Sequence, residues 1–300
     1  MIVPVYRRPR VVLEALDSVA AQTRPPDRLV VVDDGSGDGT AEGVEAWIAA
    51  RRPAWPAHVL RQENRGQGAA RNRGAEHAAD CDLFAFLDSD NLLEPAFLER
   101  MTAAFEGEPR AVAATCDRWL HRRGKRRVQR LRRFHGATAA DLIRLGFPGT
   151  TNTVVRASTF REIGGYDPGF AVAEDAHFML HLGLRGHWVH VPEVLSVRRE
   201  DTDEEPPASN LPARRLLRAP VLELFLFEDG GADVLHPRVW RVRLSRRWAS
   251  AARVLVRLGR IDEALACARR AREVWPWNLV AWLQTARAKF HAKRRSATGA

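Results

Sequence analysis

The sequence predicts an α/β fold, a mostly parallel sheet flanked by helices, followed by a small α-helical extension. Three observations predict it. Short apolar runs alternate with segments of helical periodicity through the first half of the chain. Two of those runs end in acidic, turn-forming clusters, VVVDDGSGDGT and LDSDN. Beyond about residue 206 the patterns become helical only.

Met1 to Val5 is apolar, and VVLEALDSVAAQ carries apolar residues at helical spacing. RLVVVDD reads as a short buried strand, TAEGVEAWIAARR as a helix capped by Thr40, HVLRQ as a strand and GAARNRGAEHAA as a helix. DLFAFLD is the next strand, PAFLERMTAAFE a helix with Pro95 in its first turn, and AVAATCD a further strand. In such sheets ligands bind beyond the carboxyl ends of strands, so the two acidic clusters should flank one crevice. Between them, ENRGQGAARNRG puts Gly66 and Gly68 ahead of a helix start, with Arg71 and Arg73 in its first turns. Loop amides and a positive helix end suit a phosphate. LDSDN by itself is either a turn or a seat for Mg2+ or Mn2+.

The 300 residues suffice for one large domain, residues 1–205, and a smaller part, residues 206–300. A 45% hydrophobic and 28% charged composition excludes a disordered chain. Cys81, Cys116 and Cys267 have no CxxC spacing, which argues against zinc and for a reducing compartment. No basic-then-apolar leader precedes the first strand, and no apolar run approaches the roughly 20 residues that span a bilayer. A cytoplasmic location is the expectation, at most peripheral on the inner face of the membrane. The formal charge of +10 favours anionic partners. Much of it lies in HRRGKRRVQRLRR, His121 to Arg133, which lacks the interleaved aromatics of a base-stacking surface. That run reads as a solvated or phosphate-facing loop, and no nucleic-acid partner is expected.

VPVYRRP, VVVDDGSGDGT, ENRGQGAARNRG and LDSDN, in that order, resemble the family 2 glycosyltransferases of the GT-A fold. GTTNTVVRASTFREIGGYDPGF followed by AEDAHFMLHLGLRGHWVHVPEVLSVRR resembles the acceptor-side half of the same family. The resemblance covers about Ile2 to Arg199. It implies a metal-dependent, inverting transfer of a sugar from a nucleotide-diphosphate donor, a UDP-sugar first among them. The acceptor would be a hydroxyl of a glycan, lipid-linked sugar or protein, as in surface polysaccharide, glycolipid or glycoprotein synthesis. Pro4 and Tyr6 would line the base-binding wall, Asp34 would bond the base edge, and Arg71 would face the base or diphosphate. Asp90 would be the better ligand of Mn2+ or Mg2+, while Asp88 would hold the ribose or a metal-bound water. Asp175 would be the general base with Glu174 in support; a helix cap explains either acid equally well.

The chain also departs from the family pattern. Three residues precede the Pro-Val-Tyr, fewer than is usual, so either the first strand is short or the true start lies upstream. His177 and His181 stand where aromatic and arginine residues are common; their i, i+4 spacing could hold a metal, but without His-Glu-x-x-His order it reads rather as a packed or acceptor-facing surface. Val197-Arg198-Arg199-Glu200 replaces Tyr-Arg-x-His, so Glu200 would stand in for imidazole as third metal ligand and the arginines would contact the diphosphate. Thr151 and Asn152 either border the donor sugar or simply pack. Gly164 to Asp167 resembles a loop below the acceptor pocket.

REDTDEEPPASNLP, Arg199 to Pro212, reads as a linker. RRLLRAPVLELFLF reads as a helix docked on the catalytic domain in preference to a membrane, because Pro220, Glu223 and Glu228 interrupt its apolar face. LGRIDEALACARRAREVWP resembles half of a tetratricopeptide repeat, with Gly259 at the turn, Ala264 and Ala271 at the close helix approach and Pro276 closing the unit. Trp248 and Trp282 are spaced as in successive first helices. Such a short array would pack on the catalytic domain, on a second copy in a homodimer, or on a protein partner. Two other classes compete. A nucleotidyltransferase would carry a Gly-rich, Lys-bearing loop near its amino terminus, which VPVYRRP lacks. A catalytically degraded scaffold would act through the helical repeat alone.

Overall fold

The structure, a computed structural model, describes residues 1–122, 124–170, 172–200 and 210–298. It divides into two compact units, Met1–Pro206 and Pro207–Ala300.

In the first unit the order is β1 (Ile2–Val5), α1 (Val11–Ala20), β2 (Leu29–Asp33), α2 (Thr40–Arg51), β3 (Ala57–Arg61), α3 (Gln67–His77), β4 (Leu83–Ala85), β5 (Leu92–Leu93) and α4 (Phe97–Gly107). There follow β6 (Ala111–Arg122), β7 (Lys125–Gln129), α5 (Ala139–Leu145), β8 (Thr153–Arg156), α6 (Ala157–Glu162), α7 (Glu174–Arg185) and β9 (His187–Arg199). β2 is buried along its whole length, as an unbroken Val run requires in a parallel strand covered on both faces.

β2 lies between β1 and β3, all parallel, with Val3 opposite Val31 and Val31 opposite Val59. β1 also bridges Phe86 in parallel, and its Ile2 carbonyl accepts the Leu87 amide at 3.0 Å. The sheet thereby continues into the order β4-β8-β6-β9-β5. In that half β6 and β9 are parallel, while β8 runs antiparallel to β4 and β6, and β5 to β9. Val12, Leu16 and Val19 of α1 and Phe97 and Met101 of α4 close the core over Val3, Val5 and Val31. Because β1, β2 and the Phe86 strand are parallel, Tyr6, Asp34 and Asp88 all emerge at one edge of the sheet.

Two local expectations are corrected. Up to Gln129 the run His121 to Arg133 is not a loop: β6 and β7 form a hairpin through Gly124 at φ 67°, with Trp119 opposite Val128 and the Arg126 guanidinium 4.7 Å from the Trp119 ring centroid. Thr40 does not cap α2. Gly39 takes the cap position in the left-handed region, while Thr40 is buried and its hydroxyl accepts the Arg8 amide at 3.1 Å.

The second unit is α8 (Asn210–Phe227), α9 (Gly231–Val234), α10 (Pro237–Arg257), α11 (Ile261–Val274) and α12 (Leu279–Thr298). α8 continues through Pro220 and buries Val221, Leu222, Phe225 and Leu226. Asn210 to Pro212, expected in the linker, belong to this helix, and Asp201 to Ser209 lie outside the described residues. Gly259, at φ 73°, turns the chain between α10 and α11. Ala264, Ala268 and Ala271 are fully buried, and the Ser245 hydroxyl donates to the Ala271 carbonyl at 2.6 Å. Only small side chains permit so close an approach of α10 and α11.

Candidate active site

The site is built on the strand ends of the first unit. Asp33 closes β2 and its carboxylate accepts from the Ser36 amide and hydroxyl, a side-chain-pinned turn. Ser36 in turn accepts the Arg7 amide at 2.8 Å, which ties the VYRRP loop to this turn. Arg7, at φ 52°, is one of the non-glycine residues in the left-handed region. The strained turn swings the next side chain inward. Arg8 is buried, and its Nη1 reaches Asp90 Oδ2 at 2.8 Å and Ser89 Oγ at 3.2 Å.

The LDSDN turn is fixed from several sides. The Thr151 hydroxyl accepts from the Asp88 amide at 3.2 Å and from Asn91 Nδ2 at 3.0 Å. The Arg199 amide donates to Asn91 Oδ1 at 3.0 Å, and Arg199 Nε donates to the Asp90 carbonyl. Both aspartate side chains are left half-buried. Burial pushes the Asp90 carboxyl above its ordinary range, against the opposing pull of Arg8.

Arg71 links the two halves. It is 1% exposed; Nη2 donates to Asp88 Oδ1 at 2.8 Å and to Gln67 Oε1 at 3.1 Å, and Nη1 donates to Glu174 Oε1 at 3.0 Å. Its guanidinium lies 5.0 Å from the centroid of the Tyr166 ring, which stacks on Phe178 at 4.2 Å. Asn72 holds Tyr166 there, its amide donating to the Tyr166 carbonyl at 2.7 Å and its oxygen accepting the Tyr166 amide at 2.8 Å. Gly68 permits the approach of α7, since a Cβ there would stand 3.3 Å from Tyr166 Cβ and 3.4 Å from Glu174 Cγ.

Glu174 and Asp175 open α7 behind Ala173, a non-glycine residue at φ 68°. Strain of this kind, about 1–2 kcal/mol, persists where surrounding structure enforces it. The two acids differ in environment. Glu174 is 1% exposed, and burial with Asp175 alongside pushes its carboxyl up against the pull of Arg71. Asp175 is half-buried, and its Oδ1 accepts the Ala176 amide at 2.8 Å. Glu174 Oε2, Arg71 Nε and Tyr166 Oη are buried without a hydrogen-bond partner, so the polar cluster is not closed by protein alone. One guanidinium thus spans the aspartate turn at one strand end and the acid pair at the start of α7. This arrangement can hold an anion-bearing ligand and a proton acceptor side by side.

Comparison with known proteins gives the family. A model of glycosyl transferase family 2 matches residues 1–164, and one of glycosyl transferase family group 2 matches residues 83–283. The chain belongs to glycosyl transferase family 2. Among its relatives, the O-antigen chain rhamnosyltransferase RfbN of Salmonella typhimurium is 26% identical over 186 residues, 58% of this chain and 57% of that protein. The chain spans 28–59% of the length of the first curated relatives it matches. Staphylococcus aureus TarS 1-349 in complex with UDP superposes with a TM-score of 0.61 at 17% identity, covering 99% of this chain and 90% of that one. The mannosyltransferase PcManGT of Pyrobaculum calidifontis, in complex with GDP-Man and Mn2+, gives 0.58 at 20% identity, covering 98% and 85%. Both share the GT-A fold with this family 2 chain.

The expected site residues of this family 2 chain divide into several groups. Arg71, Asp88, Glu174 and, beside Glu174, Asp175 gather in one cluster, and Asp90 adjoins it through the turn. Pro4 is buried inside β1 opposite Val32, whereas Tyr6 lies half-buried just past the strand end. Asp34 already accepts three protein donors: Gln62 Nε2 at 2.7 Å and the Arg65 amide at 2.9 Å on Oδ1, and the Gly66 amide at 2.8 Å on Oδ2. Two of the loop amides expected to suit a phosphate, those of Arg65 and Gly66, thus serve Asp34 instead. Glu200 pairs with Arg122 at 3.3 Å and Arg198 at 3.4 Å, and Asp88, Asp90 and Glu200 do not converge into a three-carboxylate cage among the described residues. His177 packs on Phe170, ring centroids 4.8 Å apart, and on His181 at 4.5 Å.

Sequence reasoning missed Arg8 and Arg118. Arg118 is buried, donates to Asn152 Oδ1 at 2.8 Å and Gln129 Oε1 at 2.9 Å, and is pushed down to about 10 by burial and the nearby Arg198. The one signal for Arg8 was a charged pair sitting directly after a buried strand.

Proposed function

We propose that the first unit is the catalytic domain of a metal-dependent, inverting glycosyltransferase. It moves a sugar from a nucleotide-diphosphate donor to an acceptor hydroxyl of a glycan, lipid-linked sugar or protein. The observation that carries this reading is Arg71, one buried cation bonded at once to Asp88 and Glu174. The UDP of the S. aureus neighbour supports a UDP-sugar donor, and the Mn2+ of the P. calidifontis neighbour supports a divalent ion.

The residues fit such an ion. Magnesium and manganese take hard oxygen ligands and are commonly held by one or two carboxylates plus substrate phosphates, without a full protein cage. Asp90 and Asp88 supply two carboxylates, and the raised proton affinity of Asp90 reflects a desolvated charge that a cation would relieve. Asp90 would hold the ion directly and Asp88 the ribose or a metal-bound water, while Glu200 pairs with Arg122 and Arg198. When bound, the ion supplies charge neutralisation on the departing diphosphate.

The chain's own groups do the rest. Asp175 takes the proton from the acceptor hydroxyl as its oxygen attacks the anomeric carbon, in one in-line displacement that inverts the configuration. Glu174, more easily protonated and fixed by Arg71, holds the start of α7 in place. Two carboxylates in different environments thus take different roles. Tyr6 and the remaining acceptor site of Asp34 face the base. Residues 206–300 form the linker and a tetratricopeptide-like extension, and the enzyme is cytoplasmic.

The test is transfer from a radiolabelled UDP-sugar panel, with and without EDTA. Turnover should vanish with EDTA and fall by about a thousandfold in Asp175→Asn, the scale of a lost general base. Product of retained anomeric configuration, seen by NMR, would refute the single displacement.

A further inference from the structure

α12 is inverted relative to an ordinary amphipathic helix. Its buried residues are small or polar, Ala281, Gln284, Thr285 and Ala288, and both polar atoms of the Gln284 amide are buried without a hydrogen-bond partner. Its large apolar side chains face outward. Leu279 is 80% exposed, and Trp282 and Leu283 about half; Trp277, in the turn just before the helix, is also 80% exposed. Scattered exposed leucines need no explanation, but two tryptophans and two leucines within seven residues form a patch that marks an interaction site.

The charge pattern decides what covers it. From Leu279 to Ala292 the helix carries Arg287 and Lys289 and no Asp or Glu. Arg272 lies over the Trp282 ring at 4.4 Å, so cation and aromatic share the surface. A second copy would set this cationic helix against itself. Tryptophan favours the interface between headgroups and acyl chains, and lysine and arginine extend from apolar stems toward anionic headgroups. We propose that the Trp277–Leu283 face of the second unit is a peripheral membrane-binding surface that seats on anionic lipid.

The experiment is flotation of the full chain with vesicles of phosphatidylcholine and phosphatidylglycerol in equal parts, against phosphatidylcholine alone. The wild-type chain should float with the anionic vesicles only, and added salt should weaken it. Leu279→Glu/Leu283→Glu and, separately, Trp277→Ser should each cut the bound fraction by about tenfold with an unchanged melting temperature. Trp277 lies outside the helix, so its variant keeps the test open if the double variant fails to fold. Failure of the wild-type chain to float overturns the proposal. Flotation undiminished in the folded variants overturns it too, because the +10 charge alone would then account for binding. Self-association abolished by these substitutions, without lipid binding, would assign the face to a second copy instead.

Discussion

Arg71 shows why a residue's neighbours matter more than its type. A helical arginine is ordinarily solvated, yet this one is buried between two carboxylates and a tyrosine ring. Removing one member of a buried pair strands the other charge, at a cost of about 3–5 kcal/mol. Arg71→Ala is therefore expected to lower the stability read from urea unfolding by that amount, and Arg71→Lys to recover only part, since an ammonium cannot serve Asp88 and Glu174 in the same fork. Asp90 makes a pH prediction. Burial raises its proton affinity above the 3.8 of an unperturbed aspartate, and Arg8 opposes the rise. A divalent ion binds the ionised form, so affinity is complete above the raised value and lost as pH falls through it. Mn2+-dependent UDP binding should thus fail at a higher pH than an ordinary aspartate would allow, and Arg8→Ala should move that failure higher still, measured by calorimetry across a pH series.

At the scale of elements, close packing sets the tolerances. A Cβ on Gly74 of α3 would stand 2.5 Å from Ile2 Cγ2 and 3.4 Å from Val32 Cγ2. Ile2 is a β-branched side chain in a buried strand and has little room to turn. Gly74→Ala should cost about 1–3 kcal/mol, read from thermal melts, and more than Gly68→Ala, whose neighbours stand at 3.3 Å or beyond. The strands and helices up to α4, apart from the two-residue β5, were legible as runs of one periodicity bounded by Gly, Pro or charged residues. The β6–β7 hairpin was not, because arginines occupy both faces of β7 and hide the alternation. Thr40 was misplaced for a related reason: its hydroxyl serves the Arg8 amide in a different segment, and local sequence carries no trace of that.

Across the whole molecule, the motif order announced the site while its wiring stayed hidden. Asp88, Asp90, Glu174 and Asp175 were all readable as acids at strand or helix ends. That Arg8 closes on Asp90, that Thr151 holds Asp88, and that the Gly-rich loop amides turn to Asp34 are contacts between segments 31 residues apart or more. Such pairings follow from the sheet order, with β1 beside Phe86, β2 beside β3 and β4 beside β8, which no single stretch encodes. The second unit was legible as helices through its alanine spacing, but the outward turn of Trp277 and Leu279 was not, since periodicity does not say which face is covered. The central claim is that Asp90 grips the donor through a divalent ion while Asp175 serves the acceptor. Calorimetric titration of UDP with Mn2+ into the wild-type chain, Asp90→Ala and Asp175→Asn tests it most directly. Asp90→Ala should weaken binding by at least about tenfold, roughly 1.4 kcal/mol, and Asp175→Asn should leave it within about twofold. Equal affinity for wild type and Asp90→Ala would contradict it.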